Sequence, residues 1–208
     1  MNKKYFVSLI LIFVFFRSYS QYHYGVKFGI NSNTQRYSSD LNVFNNTLGY
    51  MNAYHIGLAS EYNFSSRFGL AGELLYEIKG THYNKTEIYP GFTHKLSYLA
   101  LPVILDYNVV KSLVLQGGVE AGYLLKTQDN LKDINGFLDD IDQFNRLEFS
   151  GIVGLKYNLP ANVYLSIRYL HGITPFNNIE VRNEDGNSAK VAKSFNKTYQ
   201  LSVGYNIR

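Results

Sequence analysis

From Gln21 onward, apolar and polar residues alternate with a period of two, the signature of a strand with one face in an apolar environment. In the last segment Tyr199, Leu201, Val203, Tyr205 and Ile207 alternate with Gln200, Ser202, Gly204, Asn206 and Arg208. Val163 to His171 repeats the pattern, as does Leu147 to Asn158. Eight strands are predicted, over residues 22–31, 54–63, 68–80, 95–107, 113–126, 147–158, 163–172 and 198–208. Each is about as long as the 9–11 tilted residues that cross a bilayer. The connections alternate: long over 32–53, 81–94, 127–146 and 173–197, short over 64–67, 108–112 and 159–162. The short ones carry turn residues, Asn63-Phe64-Ser65-Ser66 and Asn158-Leu159-Pro160-Ala161-Asn162. Four long loops and three tight turns predict an all-β fold, an eight-stranded antiparallel up-and-down transmembrane β-barrel. Long loops would lie outside an outer membrane, with short turns and both termini on the periplasmic side.

Alternation does not say which face looks outward, but glycines and aromatics do. The polar face carries Gly25, Gly29, Gly57, Gly118, Gly122, Gly154 and Gly204, while Gly72, Gly117 and Gly151 fall on the apolar face. The bore of an eight-stranded barrel is just wide enough for side chains to fill it, so the face thinned by glycine should point inward. On the apolar face, rings gather at strand ends: Tyr22, Tyr24, Tyr62, Phe68, Tyr107, Tyr157 and Tyr205 at the short turns, and Tyr54, Tyr76, Tyr123, Phe149, Tyr169 and Tyr199 at the long loops. Leu58, Leu74, Leu101, Val103, Val119, Val153, Ile167 and Val203 lie between. An apolar band between two aromatic girdles matches the profile of a bilayer. The inner face then holds Lys27, Glu61, Glu73, Glu77, Lys79, Asp106, Glu120, Glu148, Lys156, Arg168 and Arg208, six acids and five bases. Charges in a narrow bore are costly unless paired, so a lumen ion-pair network is expected. An ion path or proton relay is the functional alternative.

The first twenty residues read differently. Lys3 and Lys4 precede an apolar run from Tyr5 to Phe16, and Ser18-Tyr19-Ser20 offers small residues at a cleavage site. This predicts a signal peptide over 1–20, cleaved before Gln21, with the barrel domain over 21–208. The run is shorter than the roughly 20 residues of a membrane helix. The formal charge of +4 loses Lys3, Lys4 and Arg17 with that segment, leaving 17 bases against 16 acids. A near-neutral chain has no basic footprint for nucleic acid. The absence of cysteine excludes disulfides, thiolate-bound metals and a lipidated N-terminal Cys.

Candidate chemistry is sparse. His82 and His94 lie in or beside one loop, and His55 and His171 near the outer rim, with His23 the fifth histidine. A Ser97, His94 and acid set has no spacing rule behind it, so no catalytic residue is assigned. Loop 127–146 is rich in Asp129, Asp133, Asp139, Asp140 and Asp142, but an EF-hand frame fails because Leu131 stands at the first ligand position. Ile134, Phe137, Leu138, Ile141 and Phe144 at helical spacing suggest a short amphipathic helix there instead. Neither a cofactor, a metal nor a small-molecule substrate is expected. The expected partners are outer-membrane lipid and envelope proteins reached through the long loops.

Several segments resemble the PorT-like outer-membrane β-barrel family. They are Gly25-Val26-Lys27-Phe28-Gly29-Ile30-Asn31, His55-Ile56-Gly57-Leu58 with Glu61-Tyr62, and Glu73-Leu74-Leu75-Tyr76 with Lys79-Gly80. Tyr98-Leu99-Ala100-Leu101-Pro102-Val103, Gly151-Ile152-Val153-Gly154-Leu155 and Gln200-Leu201-Ser202-Val203-Gly204-Tyr205 complete the series. Ala100 stands where the family often has an inward Glu. The resemblance implies an outer-membrane barrel. Two roles follow as expectations: a non-enzymatic structural, adhesive or partner-docking barrel, or a membrane component of a secretion or transport assembly.

Overall fold

The computed structural model describes residues 22–38, 48–85, 91–129, 144–182 and 188–207. The expected signal peptide, Arg208 and the proposed helix positions 134–141 lie outside them. The described residues form ten strands: β1 (Tyr22–Tyr37), β2 (Leu48–Gly49), β3 (Met51–Asn63), β4 (Phe68–Tyr83), β5 (Phe92–Asn108), β6 (Leu113–Asp129), β7 (Leu147–Asn158), β8 (Val163–Gly172), β9 (Asn177–Arg182) and β10 (Ser188–Asn206). Eight of them form an antiparallel ring in the order β1-β3-β4-β5-β6-β7-β8-β10, closed by β10 on β1. The short strands β2 and β9 pair with the far ends of β4 and β10.

The faces are those of a membrane barrel. Leu101, Val103 and Val153 point outward and are 51%, 50% and 60% exposed, whereas Lys27 and Arg168 are buried at 0% and 3%. This inverts a water-soluble barrel, where burial of apolar area drives folding. Outward arginine at mid-height costs about 2–4 kcal/mol in a bilayer. We therefore expect Val153→Arg to lower the unfolding free energy by about that amount in lipid vesicles, measured by urea titration with heat-modifiable gel mobility. Loss of less than about 1 kcal/mol would argue that Val153 does not face hydrocarbon.

Inside, Gly204 stands opposite Tyr164. A Cβ built on Gly204 would lie 2.0 Å from the Tyr164 ring, whereas Cβ atoms on Gly72 and Gly117, on the outer face, would meet nothing within 4 Å. Overpacking of this kind costs about 1–3 kcal/mol. Gly204→Leu should therefore destabilise the barrel by about that much, and Gly117→Leu should leave its urea midpoint almost unmoved.

Two features depart from simple alternation. The strands run further than 22–31, 68–80, 95–107, 113–126 and 198–208 at their long-loop ends: β1 continues to Tyr37, β4 to Tyr83, β6 to Asp129, while β5 starts at Phe92 and β10 at Ser188. In addition, the β5–β6 register slips between Ser97↔Lys126 and Tyr98↔Leu124, a β-bulge that leaves Leu125 of β6 without an opposite residue. Leu125 and Lys126 are both exposed, and the inward set of β6 passes from Leu124 to Thr127. Gly80 bends β4 nearby with a φ of 143°, a conformation that suits a residue without Cβ.

Candidate functional site

The bore is filled with polar side chains, and the alternate residues of eight strands supply them. In its lower half, toward the short turns, the charges form one connected chain. Glu73 of β4 accepts from Lys27 Nζ of β1 at 2.9 Å. It also accepts a two-pronged contact from Arg168 of β8, Nη1 to Oε2 at 2.8 Å and Nη2 to Oε1 at 2.9 Å. Such fork geometry fixes orientation as well as adding energy. Arg168 Nε donates to Gln116 Oε1 at 2.8 Å, and Gln116 Nε2 donates to Asp106 Oδ1 at 2.8 Å. Lys156 Nζ then bridges Asp106 at 2.5 Å and Glu61 at 2.7 Å. Three bases thus face three acids.

The upper half is not balanced. Lys79 Nζ of β4 contacts Glu120 at 2.7 Å, Glu77 at 3.0 Å and Glu148 at 3.9 Å, so three carboxylates surround one ammonium. Neutral donors help: Gln200 Nε2 donates to Glu77 and Asn196 Nδ2 to Glu148, at 2.9 and 2.8 Å. Lys79 Nζ also lies 5.0 Å from the centre of the Tyr98 ring, within cation–π range.

Above this cluster the filling turns apolar. Leu96, Tyr98, Leu124, Phe144 and Phe176 form a buried cluster. Phe144, expected in a helix, sits in an isolated bridge with Asn177 instead. The Phe144 and Phe176 rings stack on each other at 6.3 Å and on His94 at 5.5 and 6.4 Å. At the opposite end a cavity of about 620 Å³ opens at the short turns. It shares His23, Glu61 and Asn206 with an inner cavity of about 20 Å³ beside Glu73 and Arg168, room for about one water.

A family model described as outer membrane protein beta-barrel domain matches residues 16–178. The chain belongs to that family. Its place is the outer membrane, in keeping with the outward apolar belt. Among solved structures, Neisserial surface protein A is similar at a TM-score of 0.54 and 15% identity, with 88% of this chain and 97% of that one covered. Ail of Yersinia pestis is similar at a TM-score of 0.46 and 13% identity, over 90% of this chain and 99% of that one. OprG from Pseudomonas aeruginosa is similar at 0.45 and 12%, over 92% and 97%. A search of curated proteins by sequence found no match.

Within this family barrel the histidines take places their spacing does not reveal. His55 is not at the rim. It is 1% exposed in the bore, with Nδ1 2.7 Å from Asn31 Oδ1 and Nε2 2.9 Å from Ser202 Oγ. His82 and His94 lie in paired strands β4 and β5 rather than a loop, and His82 Nδ1 is 3.0 Å from Thr93 Oγ1. His94 Nδ1 contacts Asp129 Oδ1, and among the described residues no hydrogen bond joins Ser97 to His94. His171 lies on the outer wall. Of the inner-face charges named from sequence, Lys27, Glu61, Glu73, Glu77, Lys79, Asp106, Glu120, Glu148, Lys156 and Arg168 all lie in the two clusters; Arg208 lies outside the described residues. Sequence reasoning missed Gln116, Asn196 and Gln200, whose amides link the charges. Their inward positions in the alternation are the one signal that marks them.

Proposed function

We propose that this chain is a non-enzymatic outer-membrane barrel with a structural bore, acting through its long-loop end in structural, adhesive or partner-docking roles. The carrying observation is the filled bore: ion pairs and amide bridges occupy its middle, and an apolar cluster lies above them. Buried charges held by direct ion pairs in the lower half, and gathered on Lys79 in the upper half, support a rigid wall better than a conducting path. In this reading residues 1–20 are a cleaved signal peptide, and the short turns and termini lie in the periplasm. The paired strands that run on past the girdle stand in the medium, where envelope or host proteins can reach them.

A second reading is a membrane component of a secretion or transport assembly, with the barrel as its membrane anchor. Two measurements test these readings. The purified barrel in planar bilayers should give no discrete conductance steps; regular steps would overturn the structural bore. Affinity purification from detergent-solubilised outer membranes separates the roles. A stoichiometric complex with other envelope proteins would favour the assembly component, and a barrel recovered alone would favour the first reading.

A further inference from the structure

Just beyond the long-loop girdle, the outer wall of β8, β10 and β1 gathers cations. Tyr169 of β8 stands opposite Tyr199 of β10, with ring centres 5.0 Å apart. The next outward position pairs Lys197 with His171 on one side and Thr34 on the other. Arg36 follows, opposite Phe195, and Lys193 lies one outward step further along β10. Among the described residues no ion pair joins Arg36, Lys193 or Lys197 to a carboxylate. On β3 and β4 the outer wall at this end carries Asn52 and Ile78 instead.

The cluster is held in place. The Arg36 guanidinium sits 4.0 Å from the centre of the Phe195 ring, and its Nη2 donates to the Gly172 carbonyl at 3.3 Å. Its Nε has no hydrogen-bond partner. The Tyr169 hydroxyl and His171 Nδ1 are 2.9 Å apart, which fixes the imidazole on the same face. Residues two apart on a strand point the same way about 7 Å apart. Lys193 and Lys197 therefore bracket a stretch of roughly 13 Å, with Arg36 beside its middle. A permanently charged guanidinium held in place by ring stacking suits phosphate. The spread suits several anionic groups on one headgroup rather than one small ion. Amphipathic rings mark the headgroup level of a bilayer, and this cluster begins where the rings end, continuous with the lipid-facing belt.

We propose that this face binds the phosphates of a multiply phosphorylated lipid headgroup in the leaflet around the long-loop end. Naming that leaflet as the outer one rests on the orientation proposed above. The probe is lipid A, a bisphosphorylated lipid, titrated against the barrel in detergent micelles and counted by native mass spectrometry. Arg36→Gln/Lys197→Gln should weaken its apparent affinity about tenfold or more. Lys111→Gln, at the short-turn end, should leave it unchanged, and dephosphorylated lipid A should bind the parent chain no better than it binds the double variant. Equal affinity for parent and double variant, or for the probe with and without phosphate, would overturn the site. If the double variant loses its heat-modifiable mobility, Lys197→Gln alone carries the test, with a fall of about fivefold expected. Orientation is read separately. Asn84→Cys, beyond β4, should react with a membrane-impermeant maleimide in intact cells. Reaction only after permeabilisation would overturn the outer-leaflet assignment and the proposed orientation, with the micelle result still standing.

Discussion

Replacing Glu73 by alanine should cost the folded barrel about 3–5 kcal/mol. One carboxylate answers both Lys27 and Arg168, and both bases are buried, at 0% and 3% exposure. Without it, Arg168 keeps its bond to Gln116, while the remaining guanidinium and the Lys27 ammonium are left buried without a carboxylate between them. The cost of an unpaired buried charge, rather than the worth of the pair, sets this magnitude. The contrast that isolates it is the triple variant Lys27→Met/Glu73→Met/Arg168→Met, which removes charge and partner together. It should recover most of the loss, because apolar fillings of similar volume often match buried ion pairs. Urea titration of the three proteins in vesicles gives the comparison, and a loss under about 1 kcal/mol for Glu73→Ala would mean that water reaches Glu73 in the bore.

Lys79→Met should be at least as damaging, again by about 3–5 kcal/mol, with the opposite sign of residual charge. It leaves Glu77, Glu120 and Glu148 confronting one another, with Gln200 donating to Glu77 and Asn196 and Ser150 to Glu148. Like charges a few ångströms apart in a poorly screened space repel strongly. Adding Glu120→Gln and Glu148→Gln to Lys79→Met should restore folding yield into vesicles toward that of the parent. If the added substitutions deepen the loss instead, the cluster is held by packing around Tyr98 and not by charge.

The fold is legible in the sequence because alternation is a property of each strand alone. A period-two pattern needs a different solvent on each face, and the bilayer supplies one. That same reasoning explains the missed strand ends. Beyond Asn31, β1 places Ser32, Thr34 and Arg36 on its outer face. Water replaces hydrocarbon there, so polar residues occupy both faces and the pattern vanishes while the ladder continues. The step of the inward set of β6 from Leu124 to Thr127 escapes notice for another reason: a bulge at Leu125 shifts the period by one, and nothing in those residue types announces it. In the bore, residue types can be assigned to a face, but their partners cannot. Glu73 and Arg168 are 95 positions apart, and His94 meets Asp129 across two strands. Such pairings follow from register and barrel closure, which only the assembled ring defines.

The seam of that ring joins its first strand to its last. From Gly25↔Asn206 to Tyr37↔Ser194, β1 is paired with β10, the last strand of the ring. Until β10 arrives, every partial sheet has two open edges whose amides and carbonyls seek partners wherever they are offered. Closure also joins the most distant residues along the polypeptide, the slowest kind of contact to form. Such a protein cannot be completed in stages as it leaves the ribosome. The ring shuts in one concluding act, so a defect in β10 forfeits the whole wall.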